Sequence, residues 1–234
     1  MTGGPSVVSV SLGMLLCAAV AGQSGAEQRP SAMPGEAPIR LGAPVLAGSL
    51  SVEEALLQRR SVREYSGKPL TLEELSQLLW AAQGVTGRDG ERTAPSAGAF
   101  YPLQLYVAVG DAPPLKPGVY AYRPADHALE RIGEGDRRTR LADAALGQAC
   151  VSAGAVVIVF AANYGRTTRK YGQRGARYVD MEAGHAAQNV YLEAASLRLG
   201  TVVVGAFNDD RIKEVLQLPK EERPLALMPV GKLR

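Results

Sequence analysis

From Ser51 onward the apolar positions of this chain alternate between helical and strand periods. Ser51-Val52-Glu53-Glu54 and Thr71-Leu72-Glu73-Glu74 are both capping-box patterns, and each precedes an apolar segment. After the second, Leu75, Leu78, Leu79 and Ala82 mark one helical face, and Gly84 stops the helix. Leu103, Leu105, Val107 and Val109 alternate with Gln104, Tyr106 and Ala108, as in a half-buried strand. Gly118–Tyr122 and Leu129–Ile132 predict a hairpin turning near Ala125-Asp126-His127. A helix is expected over roughly 137–149, followed by the strand Ala155–Phe160, apolar enough to be covered on both faces. Residues 163–177 read as a basic polar loop, and about 179–198 as the longest helix, with small residues that permit close packing. Val202–Val204 predicts a buried strand, Asp209–Leu216 a short helix and Leu225–Val230 a final strand. Helices and strands mix without a strict βαβ repeat, which predicts one α+β domain over 51–234.

The first fifty residues follow no such period. Residues 1–26 carry no charged side chain, and Val7–Ala21 is mostly apolar and ends in an A-x-A-like pattern. This fits a secretory signal peptide, although the n-region lacks Lys and Arg. The other reading is a start at Met33; the first places the domain outside the cytoplasm, the second inside. Residues 27–50, rich in Gly, Pro and Ala, predict a tether.

Composition narrows the chemistry. With 234 residues and 46% apolar content the chain supports one good core. A net charge of +3 without long basic runs argues against nucleic acid as partner. No window beyond residue 40 is long and apolar enough for a membrane span. Two Cys and two His, none in ligand spacing, argue against a metal site. Removing the leader would leave Cys150 as the sole cysteine and no disulfide framework. His127 reads as a turn residue and His185 as a packed helix residue. There is no Walker loop, no G-x-S-x-G, and no G-x-G-x-x-G after a strand.

The densest chemistry lies at Arg59-Arg60-Ser61-Val62-Arg63, three guanidinium groups and a hydroxyl in five residues. Forked donors and a short hydroxyl suit a phosphate monoester; a solvated basic helix end is the plainer reading. Three more segments accompany it: Ala94–Gln104 (APSAGAFYPLQ), Glu182–Asn189 (EAGHAAQN) continuing to Thr201, and Val203–Asp209 (VVGAFND) with Pro229-Val230-Gly231 near the end.

In this order and spacing the segments resemble the FMN-dependent nitroreductase superfamily, and within it the SagB-type (azoline) dehydrogenases most closely. The resemblance implies a nitroreductase-like fold, a central mostly antiparallel sheet flanked by helices, in a homodimer with FMN at the subunit interface. It implies that Arg59, Arg60, Ser61 and Arg63 hold the FMN phosphate, completed by Lys232 and Arg234. Pro95, Ser96 and Gly98 would form a turn at the ring edge, Gln104 and Gln188 would supply amides, and Gly205-Ala206 would present a backbone N–H toward flavin N5. The plainer readings are a strand-to-loop turn at Gly205 and a cap on a core polar contact at Gln188. Lys170-Tyr171 matches a pair implicated in catalysis in the SagB-type branch, while Arg166, Arg169, Arg174 and Arg177 nearby equally fit a solvent-facing basic loop or an anion site. The implied activity is hydride transfer through flavin N5, on a small-molecule or peptide substrate. The alternatives are an NAD(P)H-dependent nitro or quinone reductase and a non-catalytic FMN-binding protein.

Overall fold

Every strand pairing that the alternating segments form is antiparallel. In the computed structural model, which describes residues 1, 33 and 35–234, the strands are β1 (Ile39–Arg40), β2 (Leu103–Val109), β3 (Gly118–Arg123), β4 (Ala128–Glu134), β5 (Val156–Asn163), β6 (Leu199–Thr201) and β7 (Glu222–Lys232). They form one seven-stranded sheet in the order β1-β4-β3-β2-β5-β7-β6. Its only parallel contact among the described residues is an isolated bridge between Ser61 and Thr201. The helices are α1 (Val52–Gln58), α2 (Leu72–Gln83), α3 (Arg138–Ala144), α4 (Ala149–Ala153), α5 (Gly165–Tyr171), α6 (Arg174–Ser196) and α7 (Asp209–Leu216). The fold is α+β.

Alternation along the inner strands divides the core into two layers. Leu103, Leu105, Val107 and Val109 of β2, with Val156, Ile158 and Phe160 of β5, pack on one face with Leu75, Leu78 and Leu79 of α2 and Val179, Ala183 and Ala187 of α6. Tyr106 and Ala108, with Val157 and Val159, pack on the other with Leu141 of α3, Val151 of α4 and Ile212 of α7. Full burial of such side chains contributes about 1.5–3 kcal/mol each before entropy is counted. Both capping boxes form, at Ser51/Glu54 and Thr71/Glu74.

Local structure departs from the periodic reading in four places. Residues 163–177 are not a loop: α5 and the start of α6 meet there at a sharp corner. Gly172 closes α5 with a positive φ (57°, ψ −145°) that only glycine adopts readily. A Cβ at Gly175 would stand 2.9 Å from the Thr168 backbone, so the two helices touch only because residue 175 has no side chain. The helix expected over 137–149 is broken into α3 and α4 by left-handed Leu146 and Gly147 (φ 59° and 74°). The strand expected at Val202–Val204 begins earlier, as β6, and Val204 makes only a bridge to Leu227. The stretch read as a tether contributes β1, paired with β4, and its Val45 backbone exchanges two hydrogen bonds with the Gln77 amide, at 2.9 and 3.0 Å. Apart from Met1, the leader read at 1–26 lies outside the described residues. Among the described residues no helix is long and apolar enough to cross a membrane.

Candidate functional site

Helix α6 carries two polar groups on one side of the sheet, at Tyr191 and at Glu182. Nine residues separate them, about 14 Å at 1.5 Å per residue.

At the Tyr191 end the chain leaves α1 and runs past β6. Ser61 bridges Thr201, and the Val62 N–H donates to Thr201 O at 2.8 Å. The Tyr191 hydroxyl joins two of the predicted segments: it lies 3.0 Å from Ser61 Oγ and accepts the Val203 N–H at 2.9 Å. The Arg59 guanidinium lies over the Tyr191 ring, 5.2 Å from its centre. Arg59, Arg60, Tyr191, Arg198 and Thr201 line a surface cavity of about 190 Å³. Three guanidinium groups at one cavity form a donor set suited to a phosphate, while the buried Thr201 hydroxyl is committed to Pro229 O at 2.9 Å. Arg63 is exposed one residue beyond the cavity's Val62. Lys232 and Arg234 are drawn to acids instead, Lys232 to Glu74 at the start of α2 and Arg234 to Glu64 at 2.9 Å. Periodicity gives no role to Tyr191 or Arg198; the only signal for Tyr191 is its position one turn after Gln188 on α6.

The turn after β6 is open. Gly205 and Ala206 are exposed, and a Cβ at Gly205 would meet nothing within 4 Å. The backbone at Gly205 does not take the left-handed conformation, so the turn itself does not require a glycine there. On α6, Gly184, His185 and Gln188 are also exposed. Gln188 therefore caps no core contact. Its neighbour Asn189 does, donating to Ala81 O at 3.0 Å and Thr93 O at 3.3 Å. His185 is not packed. His127, at the hairpin tip, is more than a turn residue: its ring links Ser76 Oγ (2.9 Å) to the Tyr122 hydroxyl (2.8 Å), and burial holds it below the usual histidine range.

At the Glu182 end sits the 95–101 turn. Gly98, Ala99 and Tyr101 all have positive φ (64°, 54° and 45°), a conformation that costs a non-glycine residue energy and must be held from outside. Ser96 Oγ accepts the Tyr101 N–H at 2.8 Å, Arg166 Nη1 donates to Tyr101 O at 2.7 Å, and the Arg92 guanidinium covers the Tyr101 ring at 4.4 Å. Pro95 is exposed at the mouth of the turn. Gln104 is half-buried on β2 opposite Ala161.

Lys170 and Tyr171, predicted on a loop, instead end α5 and come to this turn. A Cβ at Gly98 would lie 2.9 Å from both the Tyr171 hydroxyl and the Phe100 ring, so the missing side chain admits that hydroxyl. Phe100 meets Tyr171 edge-to-face at 6.2 Å, and Lys170 Nζ stands 5.6 Å from the Phe100 ring centre. An ammonium and a phenol against one aromatic wall can give or take a proton from a bound ligand. Nearby on α6, Glu182 is buried, and its Oε1 has no hydrogen-bond partner. Burial pushes its carboxyl up to about 7.

Comparison with known proteins agrees with this architecture. The "Nitroreductase family" model matches residues 56–232. A Methanocaldococcus jannaschii protein, "Putative nitroreductase MJ1384", is 54% identical over 183 residues, 78% of this chain and 91% of that protein. The crystal structure of "a putative nitroreductase" from Ralstonia eutropha superposes with a TM-score of 0.74 at 34% identity, over 90% of this chain and 96% of that one. An NADPH:FMN oxidoreductase from Vibrio harveyi, 22% identical, shares the fold with a TM-score of 0.58 over 78% of this chain and 68% of its own. By the span of the family match and the identity to these relatives, the chain belongs to the nitroreductase family of oxidoreductases.

Proposed function

We propose that the protein is an FMN-dependent oxidoreductase, in which the Arg59–Arg63 segment holds the FMN phosphate and the Lys170–Tyr171 corner manages protons for the substrate. The observation that carries this reading is the joining of Ser61, Tyr191 and Val203 in one hydrogen-bonded group beside a cavity edged by Arg59, Arg60 and Arg198. It pairs an anion-binding donor set with the open turn at Gly205. The FMN named for the Vibrio harveyi relative supports the cofactor. When bound, FMN supplies two-electron hydride chemistry at its ring. The protein's part is to hold the phosphate by charge, leave room at Gly205 and Gly184, and hold a proton near the substrate.

The position of Lys170 and Tyr171 favours the SagB-type branch over simple nitro or quinone reduction, because abstraction of a substrate proton needs such a pair and reduction of a quinone by NAD(P)H does not. The exposed apolar side chains Val52, Leu56 and Leu57 of α1, with Met181 of α6 and Val203, support a homodimer. Purified full-length protein should carry flavin bands in the visible spectrum and release FMN on denaturation. Protein that stays colourless after incubation with excess FMN would exclude the reading, and FMN bound without turnover by any donor–acceptor pair would leave a non-catalytic binder.

A further inference from the structure

The corner between α5 and α6 concentrates charge that nothing beside it neutralises. Between Asn163 and Val179 the chain carries Arg166, Arg169, Lys170, Arg174 and Arg177 and neither Asp nor Glu. These five positive charges exceed the net +3 of the whole chain, so everything outside the corner sums to −2. Arg169, Lys170, Arg174 and Arg177 are exposed, and none of the four pairs with an acid among the described residues. Elsewhere Arg123, Arg131, Arg138, Arg140, Lys232 and Arg234 each face an acid. The first acid after the corner, Asp180, accepts the Tyr164 hydroxyl instead.

Helix stability does not explain this charge. The macrodipole favours cations at the end of α5 but opposes them in the first turn of α6, where Arg174 and Arg177 stand. Like charges three or four residues apart on a helix repel. The same corner carries a row of rings: Phe100 meets Tyr171 edge-to-face at 6.2 Å, and Tyr171 meets Tyr178 at 5.2 Å. Lys170 Nζ stands 5.5 Å from the Tyr171 ring centre. Forked donors beside fixed rings complement carboxylates interspersed with apolar side chains.

We infer that this corner docks an acidic peptide segment, held by Arg169, Arg174 and Arg177, and so brings the substrate that carries it to Lys170 and Tyr171. Only the delivery to Lys170 and Tyr171 rests on the oxidoreductase reading; the docking does not. A lone phosphate is compact and suits a cavity such as the one at Arg59, whereas these cations are spread along two helices. A nucleic acid would run on past the corner onto protein whose remaining net charge is negative. A short acidic segment meets only the charge that is there.

The test is fluorescence anisotropy of a fluorescein-labelled peptide of alternating Glu and Gly, ten residues long, titrated with the purified full chain at low salt. The same titration is run with alternating Lys and Gly and with a thymidine oligonucleotide of equal length. The Glu peptide should bind, and the Lys peptide should not. Arg169→Gln/Arg174→Gln/Arg177→Gln should weaken Glu-peptide binding roughly three- to hundredfold, the loss of three exposed ion pairs. Lys68→Gln/Arg88→Gln/Arg211→Gln removes the same charge from three other exposed sites and should weaken it far less. Equal losses in the two triple variants, or no binding of the Glu peptide, would overturn the docking. An oligonucleotide held more tightly than the peptide, and lost with the same three arginines, would overturn it in favour of nucleic acid. Flavin content is read on the same samples and should be unchanged in the corner variant; loss of FMN there would make the corner a cofactor site instead. A chain that binds no FMN but holds the Glu peptide through these arginines would refute the flavin reading and keep the docking.

Discussion

The two ends of α6 solve opposite problems. At Tyr191, the polar groups face a surface cavity: Arg59, Arg60 and Arg198 border it, and the Tyr191 hydroxyl is used by both Ser61 and Val203. Charge there is cheap to keep because water screens it. At Glu182 the polar group is buried, one carboxylate oxygen has no partner, and three left-handed residues must be held in place above it. The first end presents its guanidinium donors to solvent. The second stores an unfavourable charge and backbone strain, which is where small protonation changes have large effects.

The largest effect expected is at the first end. Arg59→Ala with Arg63→Ala should weaken FMN binding by about two to four decades, since each charge-assisted bond is worth roughly 1.5–3 kcal/mol. Titration calorimetry checks this, and an unchanged affinity would move the phosphate elsewhere. At the second end, Lys170→Ala should lower turnover by roughly a hundred- to ten-thousandfold while FMN affinity stays the same. A loss of flavin instead would place Lys170 in cofactor binding.

Glu182 makes the contrast thermodynamic. Its carboxyl is raised from 4.5 to about 7, so the folded state favours the protonated form. Its contribution to stability is complete below pH 4.5 and is lost as pH rises through about 7. Against Glu182→Gln, the wild type should therefore lose on the order of 3 kcal/mol between pH 4.5 and 8 in urea unfolding. Equal losses in both proteins would show that the folded state does not hold that proton. The smallest effect belongs to Tyr191→Phe, which removes two neutral hydrogen bonds. It should cost about 1–3 kcal/mol in stability and no more than tenfold in FMN affinity, readable from thermal unfolding and calorimetry.

Much of this was legible in the sequence wherever local rules suffice. The capping boxes, the period of Leu75, Leu78 and Leu79, and the β2 alternation are local patterns, and the structure follows them. The corner at Gly172 was not legible, because Arg166–Arg177 is polar at nearly every position and the helices there are held by the Gly175–Thr168 contact between segments. The Arg/Ser segment was visible as chemistry, and the resemblance placed it in a family. That Tyr191 would tie Ser61 to Val203 depends on α6 passing β6, which no spacing reveals. Glu182 was in view as part of a motif. Its burial, and hence its proton, came only with the fold.

The measurement that tests the central claim most directly is the flavin content of purified full-length protein beside its Arg59→Ala/Arg63→Ala variant. The account predicts stoichiometric FMN in the wild type and almost none in the variant at micromolar protein. A wild type that stays colourless with excess FMN, or a variant that keeps stoichiometric FMN, would contradict it.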